Sequence, residues 1–328
     1  MKTVDIYYFQ DIKRLPAALE LHKIQDFKGL KVPVKLHMGE PGNNYYISPS
    51  IVKVVVDKLK DIGANPLLFD TTVAYHSPRA TREGYRRVAN EHGFGPDRMG
   101  CEVVIGEEGS KVLESGYNFE VARELYESTH FVVISHVKGH IQAGFGGAIK
   151  NLGMGGVSKK TKRMIHHMSI PRREAEKCIQ CNSCAEACPF GAITVSSDWH
   201  YDSNLCEGCG KCVSACSNGA LHYETMDLQK GLALSAKACI RGKRVIFINA
   251  LLNIVQNCDC DPNPGRLICP DIGYLVSDEM AAIDKASLEL IHKIKPRVFE
   301  ETTMIEPARQ VNYAEQAGLD VSFRLVKL

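Results

Sequence analysis

Cys178-Ile179-Gln180-Cys181-Asn182-Ser183-Cys184-Ala185-Glu186-Ala187-Cys188-Pro189 is answered further along the chain by Cys206-Glu207-Gly208-Cys209-Gly210-Lys211-Cys212-Val213-Ser214-Ala215-Cys216. Both runs read C-x2-C-x2-C-x3-C. The offset of 28 residues that carries Cys178 to Cys206 also carries Gly191-Ala192-Ile193 to Gly219-Ala220-Leu221, so the segment is an internal duplication. Its short period and glycine-ended repeats mark a small unit, set apart from what flanks it.

Three cysteines spaced two residues apart let a tight loop wrap three corners of a polynuclear iron centre. The fourth, beyond a short helical turn, points away and ligates the other centre. The spacing assigns Cys178, Cys181, Cys184 and Cys216 to one [4Fe–4S] cluster, and Cys206, Cys209, Cys212 and Cys188 to a second. Paired zinc knuckles also use C-x2-C, but zinc does not call for eight cysteines in two interlocked fours. Over residues 171–226 the segment resembles the two-cluster bacterial ferredoxins, with Ser217 where that family usually has Pro. The resemblance implies a small α+β domain passing single electrons, at potentials set by burial and hydrogen bonds to sulfur. Trp199 and His200, in the linker between the runs, read as packing and surface residues, with tuning of electron entry as the alternative.

The remainder of the 328 residues suffices for one larger domain, here read as residues 1–170 and 227–328 around the insert 171–226. Lys and Arg number 40 against 38 Asp and Glu, which offers no general attraction for nucleic acid or anionic membrane. The N-terminus lacks a long apolar h-region and no stretch approaches a membrane span. With eight of 13 cysteines grouped for metal rather than as a secreted disulfide scaffold, the expectation is a cytoplasmic protein. Its oligomeric state is not legible.

Outside the insert, strand and helix patterns alternate. In residues 31–38, Val32, Val34, Leu36 and Met38 share one face and Lys31, Lys35 and His37 the other. Ser48-Pro49 opens a helix whose apolar stripe ends at Gly63. Further strands are expected at 66–70, 101–105, 130–135 and 244–249, and helices at 79–92, 118–128, 228–240 and 277–293. This predicts an α/β fold, a mostly parallel sheet with helices on both faces, interrupted by the ferredoxin-like 2[4Fe–4S] domain.

Ligands of such sheets gather beyond the carboxyl ends of the strands. There lies the segment from Ser135 to Gly156, dense in glycine and carrying His136, Lys138, His140, Lys150 and Asn151. It contains neither a Walker loop nor G-x-G-x-x-G, so neither ATP nor NAD is supported. This segment, with Lys35 and His37, Gly39-Glu40, Gly42-Asn43, residues 69–75 with Arg79, and Cys258-Asp259-Cys260, resembles the DUF362 family, a domain of unknown function. That resemblance implies an architecture and no reaction.

The candidate catalytic residues are Lys35, His37, Lys138, His140, Lys150, Cys258 and Cys260. Lys138, His140, Lys150 and Asn151 suit a phosphate or carboxylate. Cys258 and Cys260, in a polar loop and read as exposed thiols, suit a third site, either for an additional metal ion, with Cys269, His37, His136 or His140 as partners, or as redox-active thiolates. Structural loop cysteines are the alternative. Cys101 and Cys239 read as buried hydrophobes. Lys159-Lys160-Thr161-Lys162-Arg163, with His166-His167, reads as a solvated face, or as a dock for an acidic electron donor, or as a cover over a substrate anion. The leading function is an iron–sulfur oxidoreductase that relays electrons from a carrier such as a ferredoxin or flavodoxin, or from a redox enzyme, to a strand-end site. The alternatives are an electron-transfer or accessory subunit without its own chemistry, and a metal- or cluster-handling factor.

Overall fold

Eight strands form the central sheet of the computed structural model, which describes residues 3–328: β1 (Val4–Phe9), β2 (Lys31–Lys35), β3 (Asn65–Thr71), β4 (Glu102–Gly106), β5 (His130–His136), β6 (Arg244–Leu251), β7 (Gly273–Ser277) and β8 (Phe323–Lys327). Their order is β8-β1-β7-β6-β5-β2-β3-β4, and only β7 runs against its neighbours.

Successive residues of a strand face opposite sides, and a sheet covered on both sides must be apolar on both. Phe131 and Val133 of β5 enter one core with Val245 and Phe247 and the helices Ala148–Gly155, Leu228–Ile240 and Met280–Ile294. Val132 and Ile134 enter the other with Val32 and Val34 and the helices Leu15–Leu21, Pro49–Asp61 and Arg82–Ala89. The chain steps from β2 outward through β3 to β4, then returns to the other side of β2 for β5 and β6. That divergence opens a crevice at the carboxyl ends of β2 and β5.

Three local expectations are corrected. Residues 118–128 are not one helix: Tyr117–Ala122 pairs with Gly109–Glu114 as a hairpin, and only Arg123–Glu127 is helical. Ser115 and Gly116, with φ of 49° and 84°, make the turn, and Tyr117, Phe119 and Val121 alternate with Asn118 and Glu120 at the strand period. The last strand residue of β2 is Lys35, so His37 stands on the loop beyond it. The helix expected from residue 277 begins at Met280, because Gly273–Ser277 is β7. β1 and β8 carry no strong alternation and escape sequence reading.

Within residues 171–223, Pro171–Arg173 pairs with Leu221–Tyr223, which brings the two ends of this segment together. Ile193–Val195 pairs with Trp199–Tyr201, and the short helices Ser183–Glu186 and Lys211–Ala215 lie between. The duplication is repeated in the backbone: Gln180 and Gly208 have φ of 56° and 62°, Asn182 and Gly210 67° and 74°, Gly191 and Gly219 64° and 62°. Among the described residues, no helix is long and apolar enough to cross a membrane.

Candidate active site and cysteine centres

The carboxyl ends of β2, β3 and β5, with the loop after β6, line a half-open cavity of about 360 Å³. Lys35, His37, Lys138, His140, Lys150, Cys258 and Cys260 all line it, so the sheet brings together every candidate outside the cysteine runs.

Lys35 leaves β2 on the face opposite Val34. Its Nζ lies 3.0 Å from Asp70 Oδ1 at the end of β3 and donates to Asn151 Oδ1 at 2.6 Å. The Asn151 amide in turn donates to Ile134 O at 2.9 Å and Ser135 Oγ at 3.0 Å, tying three strand ends together. Tyr85 donates its hydroxyl to the other Asp70 oxygen. Arg79 Nη1 donates to His37 Nε2 at 2.8 Å. Burial, then the Arg79 charge, holds His37 well below the ordinary imidazole range, so its ring is neutral.

Asn151 and Lys150 ride on the helix Ala148–Gly155, whose N-cap residue, Gly147, has no side chain to offer. Asp284, from the helix Met280–Ile294, supplies the cap: its carboxylate accepts from Ala148 N at 2.7 Å and Ile149 N at 2.9 Å. A Cβ on Gly147 would lie 2.3 Å from Asp284 Oδ1, which excludes any larger residue there. Gly155 closes the same helix, and a Cβ on it would lie 2.3 Å from Lys35 Nζ.

The charges do not balance. Asp70 engages Lys35, and Asp259 engages Lys138 with His136 Nδ1 at 3.4 Å. Against the upward pull of burial, Lys138 and then His136 hold the Asp259 carboxyl below the usual range. Lys150 and Lys162 have no carboxylate partner among the described residues. Lys162 donates to Thr71 Oγ1 at 2.7 Å and Thr72 O at 2.5 Å. Burial, then Lys35 and Arg79, pushes Lys150 down to about 8, and burial pushes Lys162 down to about 7. Burial without a carboxylate partner thus disfavours the charged form of both lysines.

Lys162 was expected on a solvated face. The helix Lys159–Met168 does expose Lys160 and Arg163, but it turns Lys162 inward. Lying over the cavity was the alternative for that run; Asp70, Glu207 and Asp284 are the site residues that sequence reading missed as candidates.

Cys258 and Cys260 are joined as a disulfide, Cα to Cα 5.2 Å, and are partly buried, which corrects the expectation of exposed thiols. Of the partners considered for them, only His140 is near: its ring nitrogen and the two sulfurs lie within 4.8 Å of one another, a donor set that suits a soft metal when the sulfurs are reduced. His37 is engaged with Arg79, and His136 Nε2 donates to Leu252 O at 2.6 Å. Cys269 is buried in the short strand Leu267–Cys269. Cys239 is buried and pushed up to about 12 by that burial, an inert thiol as expected, while Cys101 is half-buried.

In the duplicated segment, Cys178, Cys181, Cys184 and Cys216 line one small cavity, and Cys206, Cys209, Cys212 and Cys188 line another. None of the eight is in a disulfide. Backbone N–H groups of Ala192, Ala220 and Gly208 donate to the sulfurs of Cys188, Cys216 and Cys206 at 3.3, 3.2 and 3.4 Å. The first group reaches the surface, with Cys181 exposed and Ile179 64% exposed. The second abuts the main cavity. Glu207, next to Cys206, lines that cavity, accepts from Gln142 Nε2 at 3.2 Å and takes a hydrogen bond from His166 Nδ1 on its carbonyl at 3.0 Å.

A family model for a domain of unknown function, DUF362, matches residues 32–289. A search of curated proteins finds no match. Among solved structures, a protein from Thermotoga maritima is similar at 11% identity and a TM-score of 0.41, over 93% of this chain and 59% of that one. The lactate racemase apoprotein from Thermoanaerobacterium thermosaccharolyticum is similar at 14% identity and a TM-score of 0.35, over 77% of this chain and 51% of that one. The chain thus spans less than two thirds of the length of either.

Proposed function

The chain belongs to the DUF362 family, and we propose that in this member residues 171–226 form a ferredoxin-like domain holding two [4Fe–4S] clusters, which serves the strand-end cavity as the site of an oxidoreductase acting on an anionic small molecule. The donor sets fit that group: each small cavity is walled by four unpaired cysteines, three from one run and the fourth from the other, with amide N–H groups directed at sulfur. Bound there, the clusters would supply one-electron transfer.

The observation that carries the reading is Glu207, which belongs to the loop of one cysteine group and to the wall of the cavity at once. The other group, exposed at Cys181 and Ile179, is where a ferredoxin- or flavodoxin-class carrier would dock. In the cavity, Lys150 and Lys162 hold the anion, Lys35 is oriented by Asp70 and Asn151, and neutral His37 accepts from Arg79. A carrier or accessory subunit without its own chemistry would need no half-open pocket lined by lysines at the strand ends. Cysteine-held iron of this kind belongs in a reducing compartment, here proposed to be the cytoplasm.

The test is an inventory of metal, sulfide and small molecules in anaerobically reconstituted protein. About eight irons per chain, reducible by a reduced ferredoxin, with a retained phosphate or carboxylate, is the expected result. Stoichiometric zinc in place of iron would overturn the reading.

A further inference from the structure

We propose that Cys258 and Cys260 are a redox-active pair, which takes up two electrons and two protons inside the cavity and so stores reducing equivalents beside the bound anion. Their disulfide closes a loop over a single intervening residue. A loop so short removes little entropy from the unfolded chain, so the bond adds little stability. Nor does the local conformation depend on it: Asn43 Nδ2 donates to Cys258 O at 3.3 Å and Asp261 O at 2.9 Å, Glu40 N donates to Asp259 O at 2.9 Å, and Lys138 grips the Asp259 side chain. In a reducing compartment, a disulfide without structural duty is of the transient, catalytic kind.

His140 is placed to assist. Gln142 N and Ala143 N both donate to its Nδ1 at 3.1 Å, so the neutral ring carries its proton on Nε2, the atom 4.0 Å from Cys260 Sγ. Reduction breaks the Cys258–Cys260 S–S bond. Two electrons arrive one at a time from an external ferredoxin-class carrier, two protons are taken up from buffered bulk solvent through the cavity mouth, and each sulfur ends as a thiol. The His140 Nε2–H stabilises negative charge on Cys260 before it is protonated. The same histidine leads back to the cysteine groups, since Gln142, whose amide it receives, donates to Glu207 beside Cys206.

For its source of electrons the inference rests on the proposed cluster-bearing domain; for the pair itself it does not. Anaerobic protein is poised in dithiothreitol buffers of graded ratio, alkylated with iodoacetamide, and the peptide carrying residues 258 and 260 is weighed. The pair should pass from disulfide to doubly alkylated in one two-electron step. In His140→Phe, the rate of reduction at a fixed dithiothreitol concentration should fall about three- to tenfold, the loss of one hydrogen bond to the sulfur that carries charge, while the half-reduction ratio stays unchanged. With a reduced ferredoxin and no thiol, the intact protein should be alkylated at both positions, whereas Cys212→Ser should respond to dithiothreitol alone.

A pair that stays oxidised across the dithiothreitol series, or that on reduction holds a stoichiometric metal ion and resists reoxidation, overturns the proposal. If the iron is reduced by ferredoxin and the pair remains a disulfide, the inference fails and the proposed function stands. If no iron is bound, the proposed function fails, and the dithiothreitol series still decides the pair.

Discussion

Arg79 donates from Nε and Nη2 to the same oxygen of Glu40, at 2.8 and 2.6 Å, with its guanidinium wholly buried. Removing one partner of a buried ion pair strands the other charge. Glu40→Ala should therefore cost about 3–5 kcal/mol in urea unfolding. The double variant Glu40→Leu with Arg79→Met, which buries no charge, should cost less than the single change. Equal losses would mean that the pair acts by packing alone.

Asp284 should leave a pH signature on stability. Burial raises it to about 6, partly offset by the Ile149 amide, Asn249 and the Ala148 amide. A carboxyl raised above its unfolded value of about 4 binds more protons folded than unfolded in that window. Its contribution to stability is therefore largest below about 4, falls as the pH rises to about 6, and is flat above. The unfolding free energy of the intact protein in urea minus that of Asp284→Asn should decline across this range, by up to about 3 kcal/mol. A difference that rises with pH would refute the assignment.

Anion binding should weaken as the two unpartnered lysines lose their protons, Lys162 near 7 and Lys150 near 8. Malonate, whose carboxylates stay ionised above neutrality, is a suitable probe by calorimetry. Its Kd should rise about tenfold or more as each charge-assisted hydrogen bond is lost. Lys162→Met should remove the step near 7 and Lys150→Met the step near 8. A flat profile would sink the anion-site reading.

Crossed ligation makes a prediction that uncrossed ligation does not. Cys216 stands with Cys178, Cys181 and Cys184, and Cys188 with Cys206, Cys209 and Cys212. Combining Cys216→Ser with Cys178→Ser should abolish one centre and retain about half the iron. Combining Cys216→Ser with Cys206→Ser should damage both centres. Iron analysis with electron paramagnetic resonance of the reduced forms separates the two patterns.

By itself the sequence determined what is encoded over short spans. The duplicated cysteine runs are local, and so are the Ser48-Pro49 helix start and the strand alternation around Lys35. The strand-end rule then made it legible that Lys35, His37, Lys138, His140, Lys150, Cys258 and Cys260 should meet, since β2, β5 and β6 end at one rim. Tyr117–Ala122 was misread because six residues of alternation beside a helical turn satisfy either period until a partner strand chooses.

Only the tertiary structure decided the rest. It turned Lys162 inward from a run that looks solvated, brought Asp284 from 136 residues away to cap Ala148, set Glu207 in two walls at once, and joined Cys258 to Cys260 beside His140. Each depends on which distant segment supplies the missing charge, donor or ring. Such complementarity comes from packing two helical layers on one sheet, and no local spacing carries it.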